Sequence, residues 1–400
     1  MANRPFLLLW SSQLVSQSGD FVFEVALLWL VLQATGSAFA VTVVVAATLL
    51  PKVVLGPLLG VYVDRWNRRR ILIITNLAEA ALVAGFSGLV LAHAAHLDVI
   101  VAIVLALSTG GQVVRIASGA IVPQMVPTED LAPANSLLSF SSSFNQVVGL
   151  SVGGVVVALF GVALPIEYDA LTFLAAAVIL LGMSAGVGAA VPRMLGAMSR
   201  FAEEFREGFR YLVAQRFLVE LIVLGVVLNF FASGVSALFA PYADYALHGG
   251  STAYGFLGAA AAAGAIVGAA VVGKVDTRRS TGSYLFGGLV GLGAAMLALG
   301  LTRSIPLALG EMVGLGITVS VVNIPMFVLI QAKVPGRLMG RVTSVLLALI
   351  AAAAPVGALF AGVFAARTSV GLDYAVAGLV ILGTAAAGFA TMRELRSIRY

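Results

Sequence analysis

Apolar residues run along this chain in long, nearly unbroken stretches, separated by short breaks rich in polar residues, glycine or proline. Twelve stretches are predicted to be helices, at 6–33, 39–63, 71–92, 98–124, 134–160, 165–191, 216–246, 252–273, 282–302, 305–331, 338–366 and 371–392. Each is near or above the roughly 20 residues that a helix needs to cross a bilayer. None shows the short alternating pattern of a membrane β-strand. Only helices and closed barrels satisfy the backbone where water is absent. The expected fold class is therefore an all-α membrane protein with twelve transmembrane helices.

Composition supports lipid as the solvent. Of 400 residues, 60% are hydrophobic and 10% charged, and the mean hydropathy is +1.06. A soluble domain carries about 25% charge. Of the 23 Lys and Arg, nineteen fall on the side of the termini and the even-to-odd loops. Only Arg303 and Arg367 fall on the other side, and Lys52 and Arg115 lie inside spans. Basic residues collect on the cytoplasmic side. Both termini are thus expected in the cytoplasm of a multi-pass protein of the inner (plasma) membrane. The same bias accounts for the net charge of +5 without a nucleic-acid partner.

There is no cysteine, and His93, His96 and His248 fall in predicted outward loops. No metal site and no cofactor are expected. The first residues lead into an apolar run with no small-residue cleavage site, which reads as a retained helix. Neither a phosphate-binding G-x-x-x-x-G-K-[ST] loop nor a Ser-His-Asp set is present. The chain reads as a non-enzyme, with work drawn from an ion gradient or from the cargo's own gradient.

The longest polar stretch, 192–215, interleaves Arg193, Arg200, Glu203, Glu204, Arg206, Glu207 and Arg210 with Phe201, Phe205 and Phe209. The phenylalanines recur every four residues, one stripe of an amphipathic helix lying on the cytoplasmic face. On either side the chain repeats itself. Gly36-Ser37 returns as Gly250-Ser251, Asp64 with its arginines as Asp276 with Arg278 and Arg279, and Val126-Pro127 as Val334-Pro335. Tyr168-Asp169-Ala170 is echoed by Asp373-Tyr374-Ala375. The reading is two pseudo-symmetric six-helix bundles, 1–191 and 216–400, joined by the linker 192–215. Parallel repeats of this kind hold their site between the halves at mid-depth.

The segment Gly60-Val-Tyr-Val-Asp64-Arg65-Trp-Asn-Arg68-Arg69-Arg70 resembles the G-x-x-x-D-R-x-x-R-R-R loop of the major facilitator superfamily. The stretch from Gln13 to Asp20 and on to Pro51, the segment Val126 to Leu137 and Asp169-Ala-Leu-Thr-Phe173 resemble one branch of it more narrowly. That branch holds the enterobactin exporter and the macrolide efflux pumps. The resemblance covers the whole chain and implies the major facilitator fold and export. It also implies a latch role for the loop, with Asp64, Arg65, Arg68, Arg69 and Arg70 closing the halves in the outward-open state. Two departures stand out. Arg115 to Gly119 fits the R-x-x-x-G spacing of span four in efflux antiporters, but its surroundings match loosely. In span five, Gly149, Gly153 and Gly154 occur without the usual proline.

The residues themselves suggest roles. Gly60 is expected to let helix backbones approach, and the arginines to anchor to anionic lipid and carboxylates. Asp20 and Glu24 are four apart, so they share one helical face. A charge at that depth costs about 3 kcal/mol or more and should face a cavity or a partner. Two desolvated carboxylates side by side can load and release a proton. The alternative is a structural carboxylate paired with Lys52. Gln13, Ser16 and Gln17 extend the polar stripe. Arg115 is expected either to serve a relay or to pair with Glu79. Asp169 reads as a coupling residue or as an interfacial cap. Asn145, Gln146, Asn229 and Asn323 are candidates to line a cavity or tie helices.

The leading reading is a secondary transporter, a proton-coupled exporter of hydrophobic or cationic small molecules of the multidrug efflux type, working by alternating access. Its partners are the cargo, protons and membrane lipid, and the protein is expected to be a monomer. One alternative is a lipid or lysolipid flippase on the same fold. Another is a facilitator or exporter of anionic cargo such as a siderophore, with Lys52 and Arg115 binding the cargo.

Overall fold

The computed structural model describes residues 3–184, 188, 197–274 and 281–397. Side chains at 57, 58, 61, 62, 64, 197–202, 281, 393 and 397 are outside that description. The first helices are α1 (Arg4–Thr35), α2 (Ala38–Val54), α3 (Gly56–Arg65), α4 (Arg68–Leu91), α5 (Leu97–Met125), α6 (Leu131–Phe160) and α7 (Ala163–Leu181). After α8 (Ala197–Ala214) come α9 (Arg216–Ala237), a short turn α10 (Phe239–Pro241), and a wider turn over Tyr242–Ala246. The chain continues as α11 (Gly250–Val272), α12 (Thr281–Leu301), α13 (Ile305–Lys333), α14 (Gly336–Arg367), α15 (Val370–Thr391) and α16 (Arg393–Ser397).

Eleven of these helices are long and apolar enough to cross a membrane, and α2 is a shorter apolar helix. The second crossing, expected as one helix over 39–63, is instead α2 followed by α3, with a break at Leu55. Pro57 supplies the reason. It has no N–H to continue the ladder and favours the first turn of a new helix.

The chain forms two compact units. One comprises Met1–Gly36, Ala47–Ala197 and Gly250–Phe256. In it α1 packs on α6 and α7, and α4 packs on α5 and α7. A buried cluster that includes Phe6, Leu9, Leu72, Ile121 and Leu180 fills one end. Helix α1 stops at Gly36, whose φ of 59° suits a residue without a side chain. The first turns of α11 close against α6, where Gly154 and Gly255 meet backbone to backbone. Any side chain at either position would collide with main-chain atoms, so the small residues set the spacing.

The other unit comprises Ser37–Ala46, Met198–Gly249 and Leu257–Tyr400. Its plan repeats the first: α9 packs on α14 and α15, and α12 packs on α13 and α15. A cluster including Leu218, Leu221, Leu289, Leu329, Val345 and Leu346 forms its core. Gly357 lies against the Phe230 carbonyl, and Gly362 against Thr42 of the early part of α2. Helix α8 belongs here. Its Gly208 packs on the Arg341 backbone, and Arg341 pairs with Glu207 and, at 3.5 Å, with Glu204. Phe205 and Phe209 of the expected stripe are exposed, whereas the Phe201 side chain and residues 192–196 lie outside the described residues. So does Asp276 with Arg278 and Arg279, the second copy of the loop.

The repeat extends to single hydrogen bonds. Asn145 of α6 donates to the Leu14 carbonyl of α1 at 2.8 Å. Asn229 of α9 donates to the Ile350 carbonyl of α14, also at 2.8 Å. The same pair of crossings is tied in each unit, with donor and acceptor exchanged.

Candidate coupling and translocation site

One face of α1 is polar in an otherwise apolar helix. Gln13, Gln17, Asp20 and Glu24 follow each other at intervals of four, three and four residues, the spacing of one helical stripe. Gln13 and Gln17 are half-buried, and Asp20 and Glu24 are exposed. The two carboxylates stand near the middle of a 32-residue helix. They border open space rather than packed protein, as charge at that depth requires.

Lys52 of α2 is also exposed, and its charge acts on both Asp20 and Glu24. Among the described residues no ion pair joins it to either carboxylate. The expected Lys52–Asp20 salt bridge is not formed. The cation instead sits within electrostatic range of two acids and is held by neither.

An adjoining face of α1 is small. Gly19 packs so closely on α7 that a methyl group there would overlap Thr172 Oγ1 and Asp169 Oδ1. Asp169 is 1% exposed. Thr172 Oγ1 donates to the Asp169 carbonyl at 2.8 Å and lies 3.4 Å from Asp169 Oδ1. The interfacial-cap reading of Asp169 is corrected here. Val162 occupies the cap of α7, and Asp169 lies inside the helix against α1. The pattern Asp-x-x-Thr, one face of a helix, was the available signal for the Thr172 contact.

Glu79 of α4 is 5% exposed and rests against Gly110 of α5. It is within electrostatic range of Asp20 and Asp169. The expected partner, Arg115, turns elsewhere: its Nε donates to Gln112 Oε1 at 3.0 Å, one turn back on α5. Arg115 is exposed. Asp20, Glu79 and Asp169 thus form a set of acids from three helices, joined on α1 by Glu24. Tyr254, buried in the first turns of α11, is within range of Glu24. Thr172 and Tyr254 are site neighbours that the sequence did not single out, and Glu79 was named only as a partner for Arg115. Among the described residues no group of His, Cys, Asp and Glu is arranged to hold a metal ion.

The arginine loop does local work. Asn67 caps α4 by accepting from the Arg70 backbone N–H at 3.0 Å. Arg69 donates to the Leu180 and Leu181 carbonyls at 3.2 and 2.8 Å, closing the carboxyl end of α7. Arg68 is buried, and its backbone N–H donates to the Gly188 carbonyl at 2.8 Å. Lipid anchoring therefore does not describe Arg68 or Arg69, while Arg65 and Arg70 are exposed. At Gly60 a Cβ would meet nothing within 4 Å among the described residues. The Asp64 side chain is outside the described residues. Of the remaining polar residues, Gln146 and Asn323 are exposed, and Asn145 and Asn229 are used as the helix ties described above.

Two helical units on one repeated plan, with acids at mid-span in the first, define a membrane transporter of the major facilitator class. The solved nucleoside transporter NupG has this fold, with a TM-score of 0.73 at 12% identity, over 98% of this chain and 99% of that one. So does a bacterial homolog of the human lysosomal transporter Spinster in an inward-facing, occupied conformation, with a TM-score of 0.78 at 15% identity, over 99% and 97%. Within that class the chain belongs to the transmembrane secretion effector family, whose family model matches residues 1–398. Among its relatives is the multidrug efflux pump Tap of Mycolicibacterium fortuitum, 27% identical over 98% of this chain and 97% of the relative. Macrolide efflux protein A of Streptococcus pyogenes is 24% identical over 94% and 93%. The MFS-type transporter YvqJ of Bacillus subtilis, itself uncharacterised, is 25% identical over 94% and 90%.

Proposed function

We propose that this protein exports hydrophobic or cationic small molecules across the inner membrane in exchange for protons, by alternating access, with both termini in the cytoplasm. One observation carries the reading: Asp20 and Glu24 stand exposed on a mid-span helical face, with Lys52 in range of both and paired to neither. Acids in that setting can take up a proton or a cationic cargo, and the two compete for the same charge. The efflux relatives support the direction and the small-molecule class. The bias of Lys and Arg supports the orientation.

A second reading has support from the exposed cations. Lys52 and Arg115 are both exposed, and Arg115 is bonded only to Gln112 among the described residues. An anionic cargo would bind there instead.

Dye efflux from proteoliposomes under an imposed pH gradient tests the proposal, with the parent compared to Asp20→Asn. Gradient-driven transport lost in the variant, with downhill counterflow kept, supports proton coupling at Asp20. Transport that ignores the gradient in the parent overturns proton exchange. Uptake of anionic dyes alone, abolished by Lys52→Gln, selects the second reading.

A further inference from the structure

Helices α6 and α7, joined by the turn at Gly161, both pack on α1. Between them lies a cavity of ≈ 430 Å³, with α1 as its floor. Val22 lies on the floor, Val148, Val152 and Val156 on one wall, and Leu164 and Tyr168 on the other.

The few polar atoms at its edge are partly engaged already. Ser18 Oγ donates to the Val15 carbonyl at 2.6 Å and shares a hydrogen with the Tyr168 hydroxyl at 3.0 Å. One Nδ2–H of the Asn145 amide donates to the Leu14 carbonyl. A ligand with a buried charged group would lose its water and gain no opposite charge there, which is costly. Hydrocarbon fits the largely apolar lining without that loss.

The mouth of the cavity gives the source. Val148, Val152, Leu164 and Tyr168 are exposed, and the same surface continues over Leu159 and Phe160 on α6 and Leu171 and Val178 on α7. A continuous run of large exposed apolar residues on spanning helices suits contact with lipid. The cavity is a recess in that surface.

We infer that this recess is a binding site for one acyl chain of a membrane phospholipid, held between α6 and α7 on α1. Its position gives it reach. Ser18 and Tyr168 at its edge are the chain neighbours of Gly19 and Asp169, which pack together on the inner side. A bound chain braces α1 against α7 at the level of the acids, so its loss loosens the Gly19–Asp169 contact. The inference does not depend on proton coupling or on the nature of the cargo.

Photo-crosslinking tests it. The purified full chain, in detergent, is incubated with phosphatidylglycerol carrying a diazirine in its acyl chain, and the labelled peptides are mapped. Crosslinks are expected on the segments 145–156 and 164–168, saturable by unlabelled phospholipid. Val152→Trp fills the recess. Each methylene expelled weakens binding about fourfold, so displacing two costs about tenfold or more in labelling. Leu171→Trp, on the outward face, leaves it unchanged. Labelling spread evenly over the outward faces and insensitive to competitor overturns the proposal, since it describes bulk lipid alone. Displacement by a hydrophobic dye but not by phospholipid also overturns it, because the recess is then a cargo port. If Val152→Trp does not fold, the competition and the peptide map on the parent decide between the same outcomes.

Discussion

Gly19 and Asp169 form a matched pair, in which the absence of a side chain on α1 makes the space for a carboxyl group on α7. The nearest atoms to a Cβ at Gly19 include Asp169 Cα at 3.0 Å, so the carboxylate cannot simply swing aside. Overpacking of this kind costs about 1–3 kcal/mol. Gly19→Ala is expected to lower the thermal unfolding temperature in detergent. Gly85→Ala, where a Cβ meets nothing within 4 Å, should not lower it. Equal behaviour of the two would mean that α1 and α7 are not in close register here.

Lys52 offers a contrast with a buried salt bridge. Removing one partner of a true buried pair costs about 3–5 kcal/mol. Because Lys52 is exposed and makes no ion pair among the described residues, Lys52→Gln is expected to cost less than about 1 kcal/mol, the range of a screened surface charge. Denaturant titration of the two proteins in matched micelles measures this. A loss of several kcal/mol would show that the lysine is locked to Asp20 or Glu24.

The two amide ties should be equivalent. Interhelical hydrogen bonds within membranes contribute about 0.6 kcal/mol on average. Asn145→Leu and Asn229→Leu are each expected to destabilise by about that amount, and the double variant by about the sum. Steric trapping in bicelles reads each value. Strong non-additivity would show that the two ties are coupled and not independent copies.

The linker helix is fastened by exposed charge. Arg341 pairs with Glu204 and Glu207 at the surface, and such contacts contribute up to about 1 kcal/mol and weaken with salt. Hydrogen exchange across 203–212 should quicken in Arg341→Gln, and in the parent at high salt. The buried Leu212 and Gly208 should keep α8 from detaching altogether. Unchanged exchange in both conditions would assign the docking to apolar contact alone.

The membrane class and its spans were readable because lipid imposes a single demand, a run of apolar residues long enough to cross. The carboxylate stripe on α1 was readable too, since Asp20 and Glu24 lie four residues apart in a known periodicity. What hydropathy does not fix is the rotation of each helix about its axis, and partners follow from rotation. Arg115 was expected either to serve a relay or to pair with Glu79, and it bonds Gln112 on its own helix. Asp169 was placed at the surface because it falls early in its span, yet α7 turns it inward against Gly19. Arg69 reads as one more positive-inside charge, but its fork fits the terminal carbonyls of α7. Pro57 carried the signal for the break in the second crossing, which hydropathy alone runs over.

That break has a consequence for hydration. A proline at position 57 takes away the donor that the Val53 carbonyl would have had in a continuous helix, and Pro51 does the same one turn and a half earlier. Hydrocarbon does not tolerate a main-chain oxygen left over in this way; water or protein has to meet it. The interrupted crossing therefore needs water or protein beside it and not bare lipid, and Lys52 stands exposed between the two prolines.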